Sequence, residues 1–255
     1  MSIGILGTKI GMTQIFDENG LAVPVTVVQS GPCIVTQIKN FSTDGYNAIQ
    51  IGFLAKKIKN TNKAEQGHFT KVGCQPQRIL KEFKVESTEN FTLGQQIKVD
   101  CFEIGQFVNV TGRSIGKGFS GLQKRYNFSR GPMTHGSKNH RLPGSIGAGT
   151  TPGRVLPGKK MAGQYGNVRI TTQNLTVVKL IENENLILVQ GSVPGSKNGV
   201  VMIKDAIKSK VPDAAPFPAG LYLLNEQDSS KGVDIIADNK KTDDNPENKG
   251  DQVEN

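Results

Sequence analysis

The chain has 255 residues, of which 36% are hydrophobic, and it carries 31 Lys plus Arg against 22 Asp plus Glu, for a net charge of +9. This length and composition predict one large or two ordinary folded domains and exclude wholesale disorder. Three widely spaced cysteines argue against a disulfide framework and indicate reduced, mostly buried thiols, and the lack of a 20-residue apolar run or a signal arrangement predicts a soluble, non-secreted protein with no membrane partner.

The first hundred residues alternate short β-branched or aromatic runs with turn signals that contain Asn, Asp and Gly. These residues accept the positive φ that tight turns require. The Lys-rich residues 56–73 interrupt the pattern and predict one short helix. Such spacing is typical of an antiparallel barrel or sandwich. The runs that indicate strands are 12–16, 23–28, 33–38, 46–53, 79–85 and 97–102.

Strand patterns stop after residue 111 and resume at residue 168, so an insertion separates strands of one barrel. Residues 112–166 contain 13 glycines and four prolines with little periodicity, a composition unable to bury its own backbone in a core. We therefore predict a mainly β fold, with a barrel domain formed by residues 1–111 and 167–210. The strands nearest the insertion and after it are 107–111, 168–172, 175–181, 186–190 and 200–203.

The insertion lies within a segment of one charge sign. Between residues 104 and 181 there are 12 Lys and Arg but no Asp or Glu. Because like charges repel, this segment needs an external polyanion as counter-charge, and nucleic acid is the leading candidate. A solvated basic face is the alternative.

The last 45 residues have the opposite charge. They hold 10 acids and 4 bases, so that residues 1–210 carry +15. Their prolines and polar residues predict that 211–255 is a largely disordered acidic extension.

Two glycine patterns resemble nucleotide-binding motifs. Residues 116–121 match G-x-G-x-x-G, but the acidic residue that would hold a ribose about 20 positions later is missing. In residues 153–160, Lys160 stands where a phosphate loop has Ser or Thr, and no acidic residue is near to complete a magnesium site. We interpret both as glycine-rich backbone that approaches phosphate beside lysines. A nucleotide-dependent enzyme that uses either pattern is the competing hypothesis.

His135 and His140 flank Ser137, an arrangement that could suggest catalysis or metal binding. No carboxylate or cysteine lies near them in the sequence, so zinc lacks ligands there, and a serine nucleophile would need an orienting group from elsewhere in the fold. Hydrogen bonding or stacking of these two rings on RNA is favoured.

Aromatic residues interleave with the basic residues of the insertion, where rings could stack on bases while cations contact phosphates. Packing of Phe119 and Leu122 against the barrel, from a short helix at 122–126, is an equal alternative for those two residues. The interleaved aromatic residues are Phe119, Tyr126, Phe128 and Tyr165.

Five motifs occur in the order typical of one known family: residues 4–16, 116–119, 135–137, 140–147 and 158–164. Over residues 1–204 the chain resembles the universal ribosomal protein L3 family of the large ribosomal subunit. The resemblance implies a six-stranded barrel on the subunit surface and a basic loop that reaches through rRNA toward the peptidyl transferase centre. It also implies binding near the 3′ region of large-subunit rRNA, a nucleating role in early assembly, neighbouring ribosomal proteins as partners, and no catalytic group.

The sequence of residues 144–154 resembles that of cyanobacterial and plastid members of the family. Many bacterial members have a methylated Gln near the tip, whereas Ala148 to Thr151 occupy that stretch here, so the modification is not expected. Heavy use of Lys and Asn fits an AT-rich plastid genome. A ribosome of the plastid stroma is therefore expected, with the cyanobacterial cytoplasm as the alternative.

Charge, motifs and resemblance together define the predicted site, which includes no catalytic or metal-binding residue, no cofactor and no small-molecule substrate. A nonspecific DNA-compacting protein is a further alternative. The residues expected to bind rRNA are Lys9, Arg113, Lys117, Lys124, Arg125, Arg130, His135, Lys138, Asn139, His140, Arg141, Arg154, Lys159, Lys160, Gln164 and Arg169. The residues expected at the loop tip near the peptidyl transferase centre are Gly144, Ser145, Ile146, Gly147, Ala148, Gly149, Thr150 and Thr151.

Overall fold

The computed structural model describes residues 4–209, and the predicted disordered extension at 211–255 lies outside the described residues. The described part is mainly β, as predicted. Its strands are β1 (Gly4–Phe16), β2 (Ala22–Ser30), β3 (Cys33–Lys39), β4 (Ala48–Ala55), β5 (Gln77–Lys84), β6 (Gln96–Ile97), β7 (Phe107–Arg113), β8 (Phe119–Ser120), β9 (Gly163–Gln164), β10 (Arg169–Ile181), β11 (Leu186–Gln190) and β12 (Val200–Asp205). Its α-helices are α1 (Phe41–Asp44), α2 (Lys63–Val72) and α3 (Leu122–Tyr126).

Six strands close into an antiparallel barrel in the order β1-β12-β7-β10-β11-β2, which confirms the predicted six-stranded barrel. Closure pairs every strand on both sides, so the barrel has no free edge. Strands β7 and β10 are neighbours, and Arg113 at the end of β7 pairs with Arg169 at the start of β10. The segment between these strands therefore leaves and re-enters the barrel at one place.

A second sheet lies outside the barrel, with four strands in the order β5-β4-β3-β6. The strand pattern did not reveal this separate sheet. Its buried residues Val35, Ile49 and Phe83 belong to the same hydrophobic cluster as Ile5 and Val110 of the barrel. The two sheets therefore share one continuous core, which makes the barrel a rigid base.

The run at 97–102 predicts a strand, but only Gln96–Ile97 pairs in a sheet, and a 3-10 turn follows at Val99–Cys101. Val99 and Cys101 are both buried. Their apolar character therefore reflects burial in a turn and not strand pairing.

The two strands predicted at 168–172 and 175–181 form one strand, β10. Its pairing with β7 shifts register between Thr172 and Leu175. Asn174 adopts a left-handed φ of 55° in that irregularity, and its N–H donates to the Asn109 side-chain oxygen at 3.0 Å. The side-chain hydrogen bond carries the backbone through the bulge, so the strand continues.

The predicted short helix in residues 56–73 is present as α2. It ends at Gly73, which has a left-handed φ of 72° and supplies the usual C-terminal cap. Phe69 is its buried residue, with 2% of its surface exposed. With ten residues, α2 is the longest helix in residues 4–209, so no helix of this part could cross a bilayer.

All three cysteines are free, and Cys33 and Cys101 are buried while Cys74 is half-buried. The expectation of buried, unpaired thiols is confirmed for Cys33 and Cys101. Burial raises the pKa of Cys33 to about 12, and burial also raises the pKa of Cys101. Both groups therefore remain thiols near neutral pH.

Thiol alkylation is expected to separate these cysteines, because the thiolate is the reactive form and needs access to solvent. At pH 8, iodoacetamide is expected to modify Cys74 in the folded chain more slowly than in urea, because partial burial raises the pKa of its thiol, and to modify Cys33 and Cys101 only in urea. Mass spectrometry of the digested protein gives the positions. Native modification of Cys33 or Cys101, or none at Cys74, would contradict the arrangement, and C74S is the control.

Candidate nucleic-acid interface

Residues 114–168, which lie between β7 and β10, are called the arm below. The arm leaves the barrel as an antiparallel ribbon. The Ser114 N–H donates to the Val168 carbonyl at 2.9 Å, and the Lys117 N–H donates to the Tyr165 carbonyl at 2.8 Å. The short strands β8 and β9 then pair with each other. The base of the arm is therefore ordered by a backbone ladder that continues from the barrel.

Helix α3 follows the ribbon and has one buried anchor. Leu122 is 5% exposed, whereas Phe119 is 80% exposed. The ring of Phe119 therefore remains open to solvent and does not pack against the barrel, whereas Leu122 is buried and lines a pocket with arm residues such as Phe128 and Leu142. The Arg125 guanidinium donates to the Met161 carbonyl at 2.8 Å, so it ties the helix to the returning strand of the arm.

Residues 128–143 fold back toward α3 through hydrogen bonds to Gln123. The Arg141 Nε donates to the Gln123 side-chain oxygen at 2.9 Å, and the Gln123 Nε2 donates to the His140 carbonyl at 3.4 Å. The His140 Nδ1 donates to the Pro132 carbonyl at 2.9 Å. His140 therefore has a structural hydrogen bond, while His135 is exposed with a left-handed φ of 57°.

The distal part of the arm has few internal contacts. Every residue from Arg141 to Ala162 is exposed, including all the predicted tip residues from Gly144 to Thr151. The Ser145 hydroxyl donates to the Gly147 carbonyl at 3.0 Å. Small side chains in this stretch leave backbone groups accessible, which suits close approach of a ligand.

The arm has no acidic residue, so its cations have no carboxylate of their own segment as a partner. Among residues 4–209, ion pairs form in and around the second sheet, at Lys39–Glu82 (2.9 Å) and Lys56–Glu65 (3.1 Å). No arm cation of the described residues forms an ion pair. Because exposed single-sign charge is repulsive, the arm favours a polyanionic partner.

The predicted cations fall into two groups. Some contact neighbouring protein groups: Lys9 donates to the Val193 carbonyl at 2.7 Å, Arg113 donates to the Asn167 carbonyl at 3.2 Å, and Lys117 lies 5.0 Å from the centre of the Tyr165 ring. The other group projects from the arm into solvent. Its exposed members are Lys124, Arg130, Lys138, Arg154 and Lys159, and the neutral predicted residues Asn139 and Gln164 are exposed as well.

Two further predicted residues are placed at the edges of the site. Lys160 lies 5.6 Å from the centre of the Tyr126 ring, and Arg169 is exposed at the start of β10, opposite Arg113. Lys9 is the predicted residue farthest from the arm in sequence. The fold brings it to the arm base, where it lines one groove with Lys117 and Arg125.

The groove also includes three apolar residues that the sequence did not predict as part of the site: Ile115, Val168 and Ile170. Val168 and Ile170 belong to a run that predicts a barrel strand, whose alternation normally buries such side chains. No local signal marks them, because whether an apolar side chain faces the core or the solvent depends on tertiary packing.

The described residues contain no cluster of three or more His, Cys, Asp or Glu side chains that could hold a metal ion. The two arm histidines therefore belong to no such cluster in residues 4–209.

The family model for ribosomal protein L3 matches residues 56–184. The large ribosomal subunit protein uL3 of Synechococcus elongatus is 61% identical over 206 residues, which cover 81% of this chain and 97% of the relative. The chain belongs to the ribosomal protein L3 family. Similar L3 proteins include uL3 of Crocosphaera subtropica, 59% identical over 81% of this chain and 98% of its own, and uL3c of Porphyra purpurea, 57% identical over 80% and 99%. The resemblance carried by the five motifs is thus confirmed, with both cyanobacterial and plastid L3 relatives.

Proposed function

We propose that the chain is a structural constituent of the large ribosomal subunit and binds large-subunit rRNA through the arm. The observation that carries this proposal is an exposed cationic arm without carboxylates, built on a rigid closed barrel. Membership of the ribosomal protein L3 family supports it. The barrel holds the arm base, and the arm cations neutralise phosphates where RNA strands converge.

The proposal assigns different roles along the arm. The exposed cations bind phosphates in a sequence-independent way, and these contacts position the arm. The glycine-rich tip, residues 144–151, supports the peptidyl transferase centre by packing backbone against RNA. In this proposal the tip supplies no catalytic group, no metal and no cofactor, and the chain acts as a structural protein and not as an enzyme.

The same surface supports a role in assembly of the large subunit. Binding near the 3′ region of large-subunit rRNA lets the barrel and arm hold RNA segments together early in subunit assembly, beside neighbouring ribosomal proteins. The cyanobacterial and plastid relatives support a ribosome of the plastid stroma or of the cyanobacterial cytoplasm.

Salt dependence tests the proposal. The affinity of the full chain for a large-subunit rRNA fragment is expected to fall by about 0.7 to 0.9 log unit per log unit of salt for each phosphate neutralised. Fluorescence anisotropy titrations between about 50 and 400 mM KCl, a range that includes physiological ionic strength, measure this slope. An affinity that does not change with salt concentration would contradict the proposed function.

Two controls address the competing functions. Duplex DNA of the same total charge is expected to compete less well than the rRNA fragment, whereas equal competition favours a DNA-compacting protein. Equilibrium dialysis with labelled ATP and NAD is expected to show no saturable micromolar binding, because the glycine motifs lack acidic partners. Saturable micromolar binding of ATP or NAD would favour the hypothesis of a nucleotide-dependent enzyme.

A further inference from the structure

A groove of about 610 Å³ lies at the arm base, where the arm meets β1 and the loop between β11 and β12. This volume is within the range of about 300 to 1,000 Å³ found for small-ligand sites. The groove is lined by residues of the arm ribbon together with Lys9, Val193 and Gly195.

The floor of the groove is apolar and open to solvent. Ile115 is 58% exposed, Val168 53% and Ile170 44%. Their backbone is fixed, because Ser114 and Val168 are joined by the ribbon bond and by a second bond from the Val168 N–H to the Ser114 hydroxyl at 3.2 Å. The floor is therefore a preformed apolar surface that a flat ligand could cover.

The rim of the groove combines cations with aromatic rings. The Lys117 ammonium lies 5.0 Å from the centre of the Tyr165 ring, and the Arg125 guanidinium lies 5.0 Å from the centre of the Tyr126 ring. Lys9 completes the rim, held by the Val193 and Gly195 carbonyls. No carboxylate is among the lining residues, so the rim favours an anion.

A nucleotide matches both parts of the groove. Its base is flat and stacks on aromatic or apolar surfaces, and its phosphate pairs with cations. In an A-form duplex the bases are stacked inside, so the ligand must be an unstacked nucleotide. An acidic peptide would satisfy the cations but would leave the floor uncovered.

We propose that this groove captures one unstacked nucleotide of RNA, with its base against Tyr165 and the apolar floor and its phosphate near Lys9 and Lys117. The inference rests on the proposed function, since it names the form of RNA that the arm base recognises. The arm cations bind any phosphate backbone, whereas the groove discriminates single-stranded from duplex RNA.

Substitution of Tyr165 tests the groove. The full chain is titrated with single-stranded hexauridylate and, separately, with a short RNA duplex, in wild type, Y165L and Y165F. Loss of the ring in Y165L is expected to weaken hexauridylate binding by about 5- to 150-fold, as for base–aromatic stacking in other proteins. Duplex binding is expected to change less than about twofold, since phosphate contacts dominate it. Y165F keeps the ring and is expected to bind hexauridylate as wild type does.

Other outcomes overturn the inference. Equal weakening of both RNAs in Y165L would show that Tyr165 acts through folding, and a loss in Y165F as large as in Y165L would show that its hydroxyl binds and that the ring does not stack. Competition by a short poly-glutamate peptide as strong as that by hexauridylate would assign the groove to an acidic protein segment. Saturable micromolar binding of 5′-UMP, with hexauridylate bound no more tightly, would assign it to free nucleotides. Failure of wild type to bind the rRNA fragment at all would instead refute the proposed function.

Discussion

Replacement of Arg130, Lys138, Arg154 and Lys159 by glutamine is expected to lower the affinity for the rRNA fragment by about three orders of magnitude at 0.1 M salt. All four side chains are exposed on the arm, and none forms an ion pair within residues 4–209. Each phosphate neutralised contributes about 0.7 to 0.9 log unit per log unit of salt, so four lost contacts flatten the slope by about three. Anisotropy titrations at several salt concentrations measure both quantities.

The chain offers a control with the same change in net charge. Lys57, Lys59, Lys63 and Lys71 are exposed in and around α2, away from the arm in sequence and outside the barrel. Their replacement by glutamine is expected to cost less than about tenfold in affinity, because only the general field of the protein changes. Equal losses in the two quadruple variants would show that binding follows net charge and that the arm has no special role. Far-UV circular dichroism establishes that both variants fold.

Phe83→Ala is expected to lower the free energy of unfolding by about 3 to 5 kcal/mol, the range for aromatic truncation in a core. Phe83 is fully buried in β5, pairs with Ile49 of β4, and belongs to the core cluster shared by the two sheets. The Lys204 ammonium of β12 lies 4.9 Å from the centre of its ring. The ring therefore joins the second sheet to the barrel, and its loss leaves a cavity between them.

Phe119→Ala removes the same atoms from an exposed position and is the matched control. Its effect on stability is expected to be within about 0.5 kcal/mol, as for other surface changes. Urea unfolding followed by circular dichroism measures both variants. Similar destabilisation by the two substitutions would contradict the placement of Phe83 in a shared core. A protein of ordinary stability, about 5 to 15 kcal/mol, would lose a large part of it in F83A.

The barrel could be predicted from the sequence because strand alternation and turn residues are local signals. Pairing partners are not local. The runs that became β3, β4 and β5 have the same pattern as the barrel strands, so nothing in them indicated a second sheet. The apolar residues at Val99–Cys101 predict a strand although they are buried in a 3-10 turn. Apolar content indicates only that residues are buried, whereas the spacing of the apolar residues indicates the backbone geometry.

The candidate interface likewise has one part that the sequence predicts and one part that it does not. The missing carboxylates and the exposed cations of the arm follow from composition, so those residues could be named in advance. The groove could not, because the exposure of Ile115, Val168 and Ile170 depends on tertiary structure. Lys9 joins Lys117 only because β1 lies beside the loop that follows β11, a contact between residues more than 100 positions apart.

The pairing of Arg113 with Arg169 has an evolutionary consequence. Two paired positions on adjacent strands of a closed cylinder hold both ends of a 55-residue excursion, so the excursion is inserted like a long hairpin. Closing such a loop costs only about 0.6 kcal/mol more for each doubling of its length. Descendants of this protein could therefore lengthen, trim or rewrite the excursion to follow changes in their RNA, while the cylinder that carries it stays the same.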